Sequence, residues 1–388
     1  MTPGVLDRRL DVTPIKRVSP SRYEAMVQCA LREVWAAGGQ PHLLPLSPAA
    51  RLGTAVHQLL EEAGRGRLTP AERPVVERRW EELVRQAESA MLMSWLERVF
   101  VPLRSSVPDF EVRGLRAQER VLAIAQAVAS ARREPQERVA AGFERWVAVP
   151  DGSVGGYIDH VVETPDGPVL RDYKSGGIHE AAAGVPPVAV RPSFVVQLRL
   201  YAALYAGTTG TWPARLELVP LLGEAVGIPF DTATCEALLA DAIAALARIN
   251  ATIAEAASRQ EEPEGRLAAP GVTTCRHCLF RPACVPYRRV RTGATGEEAW
   301  PQDVWGELRE IRQLGNRKLL LTVATGSAGA EVRCIRGITA NPARHPALQH
   351  LREGNMVGVF GLRGSAGGGT LSEALWTVVY KMECKEDG

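Results

Sequence analysis

The sequence predicts an α/β protein with a helical N-terminal half and a small all-β region at its C-terminal end. Three observations carry that expectation. Apolar residues recur at three- and four-residue spacing through most of the first 133 positions. Near residue 144 the pattern changes to short, β-branched runs separated by turn residues. Beyond residue 303 nearly every patterned stretch is strand-like. A chain of 388 residues is more than one hydrophobic core usually serves, so more than one domain is expected.

In chain order, residues 1–18 read as a loose polar lead-in. Ser19-Pro20-Ser21 opens a helical pattern that Gly38-Gly39 stops. Further helices are expected over 52–63, 71–104 and 116–133, the last two within a helical insert at about 65–140. Residues 145–149 alternate. The runs 154–163 and 168–174 flank Pro165-Asp166-Gly167, which reads as strand, turn, strand. A helix at 193–206, strands at 214–219 and 225–229, and an Ala-rich helix at 232–258 follow. Residues 288–302 read as a linker, so 303–388 is expected to be separable. Its strands fall at 304–312, 318–324, 331–338, 356–362 and 374–382, with a short helix after the third.

Composition narrows the function. At 46% hydrophobic and 23% charged residues the chain is ordinary globular protein. A net charge of +2 excludes a polycation, so any nucleic-acid surface must be local. No apolar run is read as a membrane span, and no secretory signal is evident in MTPGVLDRRLDVTPIKR. Seven cysteines without disulfide-framework spacing point to a reducing, cytoplasmic setting and to metal rather than disulfides. The basic residues are 41 Arg and 5 Lys, and Lys174 is the only lysine between Lys16 and Lys318. In such a chain a retained lysine suggests that an amine is required there.

The chemistry concentrates in Gly155-Gly156-Tyr157-Ile158-Asp159 and Asp172-Tyr173-Lys174. If the two runs are adjacent antiparallel strands, Asp159 and Asp172 meet at one end of the sheet, and Lys174 shares a face with Asp172. Two carboxylates make a hard-oxygen site for Mg²⁺ or Mn²⁺, beside which Lys174 would stabilise charge on a phosphate. A DxK triplet alone also fits a solvated hairpin. The strand context, the upstream GxxD and the isolated lysine weigh against that. In LGTAVHQLLEE, Gly53 permits close backbone approach and His57 offers an imidazole ligand. Gln197 and Tyr201 lie four apart and share a helix face. In CRHCLFRPAC, Cys275, Cys278 and Cys284 suggest a metal or cluster site, with Cys29 the leading fourth ligand. Spacing leaves zinc and iron–sulfur both open, and His277 or His42 would complete a zinc site. Cys235, Cys334 and Cys384 receive no role.

The order SPSRYEAMVQC, LGTAVHQLLEE, GGYID, RDYKSG, QLRLY and CRHCLFRPAC resembles the RecB-like branch of the PD-(D/E)XK nucleases. The similarity is to its iron–sulfur members, the AddB nuclease domain and the CRISPR-associated exonucleases of the Cas four group, and covers roughly residues 19–287. The resemblance implies a restriction-endonuclease-like core. It implies that His57, Asp159 and Asp172 bind metal, that Lys174 is catalytic, and that Gln197 and Tyr201 support the site. It implies a 4Fe-4S cluster on Cys29, Cys275, Cys278 and Cys284. The expected activity is Mg²⁺- or Mn²⁺-dependent hydrolysis of DNA with single-stranded segments, in repair, recombination or phage defence. There is no GxxxxGK[ST] phosphate loop, so unwinding would need a helicase or another defence or repair subunit as partner. The rival expectation is a non-catalytic nucleic-acid-binding or assembly subunit, against which the intact His57, Asp159, Asp172 and Lys174 argue. Residues 303–388 resemble an OB-fold, on which Trp305, Phe360 and Trp376 would stack bases or fill the barrel core.

Overall fold

The structure is a computed structural model. It describes residues 2–383 apart from 8, 134–141, 180–188, 222, 293–299, 327–330 and 365–369. The end of the expected helical insert, half of the expected linker, and Cys384 therefore lie outside the described residues.

The lead-in is not loose. Its strand β1 (Val5–Leu6) is buried, and Leu10, Ile15 and Val18 belong to the main core. The expectation failed because these apolar residues are scattered among polar ones, with no local period to reveal a long-range partner. The first helix is also two: α1 (Pro20–Gln28) and α2 (Ala30–Ala37) meet at Cys29, whose backbone is extended. α3 (Pro48–Gly64) is followed by the helical insert, which comprises α4 (Arg73–Met93), the short α5 (Leu103–Ser106) and α6 (Phe110–Arg133). Pro48, in the first turn, explains why α3 starts earlier than its apolar pattern suggested.

Five strands form the central sheet: β2 (Gly142–Ala148), β3 (Gly155–Thr164), β4 (Gly167–Lys174), β5 (Arg215–Pro220) and β6 (Val226–Gly227), side by side in that order. β2, β3 and β4 run antiparallel, with Thr164 opposite Gly167 at the expected turn. β4 and β5 are parallel. Parallel neighbours need a crossover, supplied by α7 (Pro192–Thr209), and α8 (Thr232–Arg259) packs along α7. Leu170, Leu216 and Leu218 face a core shared with α1, α2, α7 and α8, whereas Tyr173 and Val219 face a second core built from α3, α4 and α6. The sheet is thus covered on both faces.

By length and composition α8 is apolar enough to cross a membrane, contrary to the expectation that no run reaches that threshold. Its many alanines raise the mean hydropathy. Here one face of α8 lies in the main core, and Asn250 bonds both backbone groups of Ile15 at 2.9 Å. The short α9 (Glu264–Leu267), α10 (Val272–Arg276) and α11 (Val285–Thr292) lead out of this unit. α11 occupies the first part of the expected linker.

The C-terminal region is all β: β7 (Val304–Gln313), β8 (Lys318–Thr325), β9 (Glu331–Thr339), β10 (Met356–Phe360), β11 (Arg363–Gly364), β12 (Leu371–Ser372) and β13 (Val378–Met382). β7, β8 and β9 form a meander, β10 pairs with β7 and β13, and β12 runs parallel to β9. β1 adds to β13 in parallel, Val5 opposite Lys381. This region has its own core, yet Phe360, Val378, Tyr380 and Met382 belong to the main core. The Tyr380 hydroxyl donates to the Leu43 carbonyl at 2.8 Å. Separability is corrected accordingly: lifting the region away would expose these side chains.

Candidate active site

The site lies in an open cleft where β3, β4, α3 and α7 converge. Strand period two puts Asp172 and Lys174 of β4 on one face, and Asp159 arrives from the adjacent β3. α3 brings His57 and α7 brings Gln197 and Tyr201, so all six expected residues line the same cleft. Lys174 Nζ lies 2.6 Å from Asp172 Oδ2. Gln197 bridges the pair, donating from Nε2 to Asp172 Oδ1 at 2.7 Å and accepting from Lys174 Nζ on Oε1 at 3.1 Å. Asp159 Oδ2 accepts the Tyr173 backbone N–H at 2.7 Å. Two glycines make room. A Cβ on Gly53 would stand 2.8 Å from Ser175 Oγ, and one on Gly156 would stand 3.1 Å from the Tyr201 hydroxyl.

Burial sets the electrostatics. It pushes the Asp159 carboxyl up to about 6, against the Tyr173 N–H and Lys174. Burial, and then the negative charge of Asp159, push Asp172 up to about 6 against Lys174 and His57. Burial and the Lys174 charge lower His57, leaving a neutral imidazole at pH 7. Tyr201 is raised far above the ordinary phenol value, first by burial and then by Asp172 and Asp159.

Among the described residues, no three His, Cys, Asp or Glu side chains are gathered as a metal-binding set; an ammonium lies against Asp172 instead. The donor set still fits a hard cation. Asp172 Oδ2 is buried with no hydrogen bond of good geometry, its contact with Lys174 being ionic. An oxygen with a free lone pair, a second carboxylate and a neutral imidazole are suitable ligands.

Sequence reasoning missed three neighbours. Phe194 carries Lys174 Nζ 4.7 Å above its ring. It lies one turn before Gln197, a spacing that pointed to it. Glu144 adds negative charge near Asp159 from a backbone with φ 50°. No local pattern marks it. Ser175 follows Lys174 directly and packs on Gly53.

Elsewhere, Cys29, Cys275, Cys278 and Cys284 line one small pocket with Trp35 and Arg281. The α1–α2 break presents the first, and α10 with the following turn presents the others. Arg281 Nη1 donates to the carbonyls of Cys275, Arg276 and Cys278. His42 packs edge-on against Phe280 and is not among the residues lining that pocket; neither is His277. Of the three aromatics expected to stack bases, Phe360 is fully buried in the main core, a correction that follows from its inward position on β10. Trp305 packs near Tyr287, and Trp376 is partly exposed over Phe100.

A mixed sheet thus presents two carboxylates and a lysine into a cleft, with an imidazole from a flanking helix. The family model of the PD-(D/E)XK nuclease superfamily matches residues 17–285, and the chain belongs to that superfamily. Its members are typically metal-dependent nucleases acting on nucleic acid. No curated protein matches the chain.

Proposed function

We propose that this chain is a Mg²⁺- or Mn²⁺-dependent deoxyribonuclease acting on DNA with single-stranded segments. The observation that carries the reading is the convergence of His57, Asp159, Asp172 and Lys174 in one cleft, with Gln197 locking the last two together. His57, Asp159 and Asp172 would hold the cation, which when bound polarises the phosphate and lowers the pKa of a water. Lys174 would stabilise negative charge growing on the phosphate. Gln197 fixes the rotamers of both partners, and Tyr201 closes the back of the site.

The test is digestion of end-labelled single- and double-stranded DNA. Cutting is expected with Mn²⁺ and not with EDTA, and the rate should fall as pH drops through about 6, where Asp159 and Asp172 take up protons. The stability linkage has the opposite sense. Both groups hold protons more tightly folded than at their ordinary 3.8. Without metal, their contribution to stability is therefore greatest below about pH 4 and declines as pH rises through about 6. Mn²⁺ should accordingly raise the melting temperature more at pH 7.5 than at pH 5. Metal-independent cutting, or no cutting under any condition, refutes the assignment.

We further propose a RecB-like subtype with a 4Fe-4S cluster on Cys29, Cys275, Cys278 and Cys284. The support is that these four thiols, from opposite ends of the nuclease domain, line one pocket. Anaerobically purified protein should be brown, and Cys275→Ser should lose the colour and much of its solubility. A colourless protein carrying one equivalent of zinc means a zinc site instead. The C-terminal region we read as OB-like, on the β7–β8–β9 meander that β10 and β13 continue; among the described residues the strand order is open, running from β1 at one edge to β11 at the other. The setting proposed is cytoplasmic DNA repair, recombination or phage defence, with unwinding supplied by a helicase partner.

A further inference from the structure

Two large aromatic rings stand exposed at the mouth of the cleft. Trp146 of β2 and Tyr157 of β3 are 38% and 53% exposed and belong to none of the three hydrophobic cores. They sit directly opposite each other in the strand register, with ring centroids 4.8 Å apart at 61°. The Arg17 guanidinium lies 4.6 Å over the Trp146 ring and is held there by a 2.9 Å bond from Nε to the Gly152 carbonyl. Lys16 and Arg17 line the same cleft as Asp159, Asp172 and Lys174. Isolated exposed aromatics are common enough, but a pair in mutual contact, topped by a cation and opening onto a reaction site, has the make-up of a base-stacking surface.

We propose that Trp146 and Tyr157 form a stacking platform for an unpaired base of single-stranded DNA beside the bond to be cut. The inference rests on the nuclease reading of the site and adds the residues that select the strand. Tyr157 and Asp159 are two apart on β3 and face the same way, about 6–7 Å along the strand. That spacing suits one extended nucleotide. A base resting on Tyr157 brings its neighbouring phosphate to the carboxylates, while Lys16 and Arg17 meet the backbone charge further along. A paired base inside a duplex has both faces covered by its neighbours, so the platform favours single strands or frayed ends.

The test measures binding of a fluorescent oligo-dT and of a duplex by anisotropy, with Ca²⁺ in place of Mg²⁺, alongside cutting in Mn²⁺. Trp146→Ala and Tyr157→Ala should each weaken oligo-dT binding about 5- to 150-fold. The duplex affinity and the salt dependence, which reports phosphate contacts, should stay near wild type. Tyr157→Phe and Trp146→Phe keep a stacking face and should retain most of the affinity. A 2-aminopurine in the oligonucleotide should lose fluorescence on binding wild type but not the double alanine variant. Wild type that cuts DNA while both folded alanine variants bind oligo-dT as tightly as it does overturns the platform alone. Wild type that neither binds nor cuts DNA overturns the platform and the nuclease reading together.

Discussion

Lys174→Ala should cut DNA about 100- to 1000-fold more slowly than wild type while keeping its fold. The ammonium is the cationic side chain in contact with Asp172, and removing one preorganised donor of transition-state charge typically costs about 3–4 kcal/mol. The variant leaves His57, Asp159 and Asp172 in place, so Mn²⁺ affinity should be unchanged or higher once the competing charge is gone. Asp172→Ala gives a different signature, losing Mn²⁺ binding and cutting together. Calorimetric titration of Mn²⁺ beside a single-turnover digest separates the two patterns. A correctly folded Lys174→Ala protein that cuts at the wild-type rate eliminates the lysine as a catalytic residue.

Asp303→Ala should destabilise the whole protein by about 3–5 kcal/mol, read as a shift of the urea midpoint. Asp303 is wholly buried and accepts from Arg281 Nε at 2.8 Å, the Tyr287 hydroxyl at 2.8 Å and the Gly361 backbone N–H at 2.8 Å. Removing the carboxylate leaves the Arg281 guanidinium charged, buried and without its counter-ion. For a protein whose net stability is on the order of 5–15 kcal/mol, that is a large fraction. Asp303→Asn keeps one acceptor oxygen, enough for the Gly361 N–H or the Tyr287 hydroxyl but not both, and should recover only part of the loss. Because Arg281 also holds the carbonyls around Cys275 and Cys278, the alanine variant should loosen the cysteine loop first. A midpoint shift worth under about 1 kcal/mol would show the pair to be dispensable.

The residues of the candidate site were legible because its parts are locally periodic. Asp172 and Lys174 are two apart in a strand, Gln197 and Tyr201 are four apart in a helix, and a Pro-Asp-Gly turn fixes how β3 meets β4. Element types were legible for the same reason, but several boundaries were not: the helix expected over 71–104 ends at Met93, and α3 starts at Pro48. What escaped has no local period. The break that turns Cys29 toward the other thiols lies inside an unbroken helical pattern. Phe360 alternates as a base-stacking residue would, and its burial depends on the main core, which it joins beside Tyr380. Asp303 reads as a polar residue opening the C-terminal region until Arg281 and Tyr287 close around it.

The pairing of β1 with β13 constrains how the chain reaches its final form. Val5 and Lys381 are neighbours in one sheet although 376 positions separate them. At about 5–20 residues per second of synthesis, β1 waits roughly 20–75 s for its partner strand to be made. The nuclease sheet, whose strands lie within residues 142–227, can assemble during that interval. The sheet that holds β1 cannot finish until residue 382 has been made. Contacts of such long range are slow to form because closing the loop costs entropy before the pairing repays it. The seating of Val5–Leu6 therefore follows the assembly of the strands that carry Asp159 and Asp172.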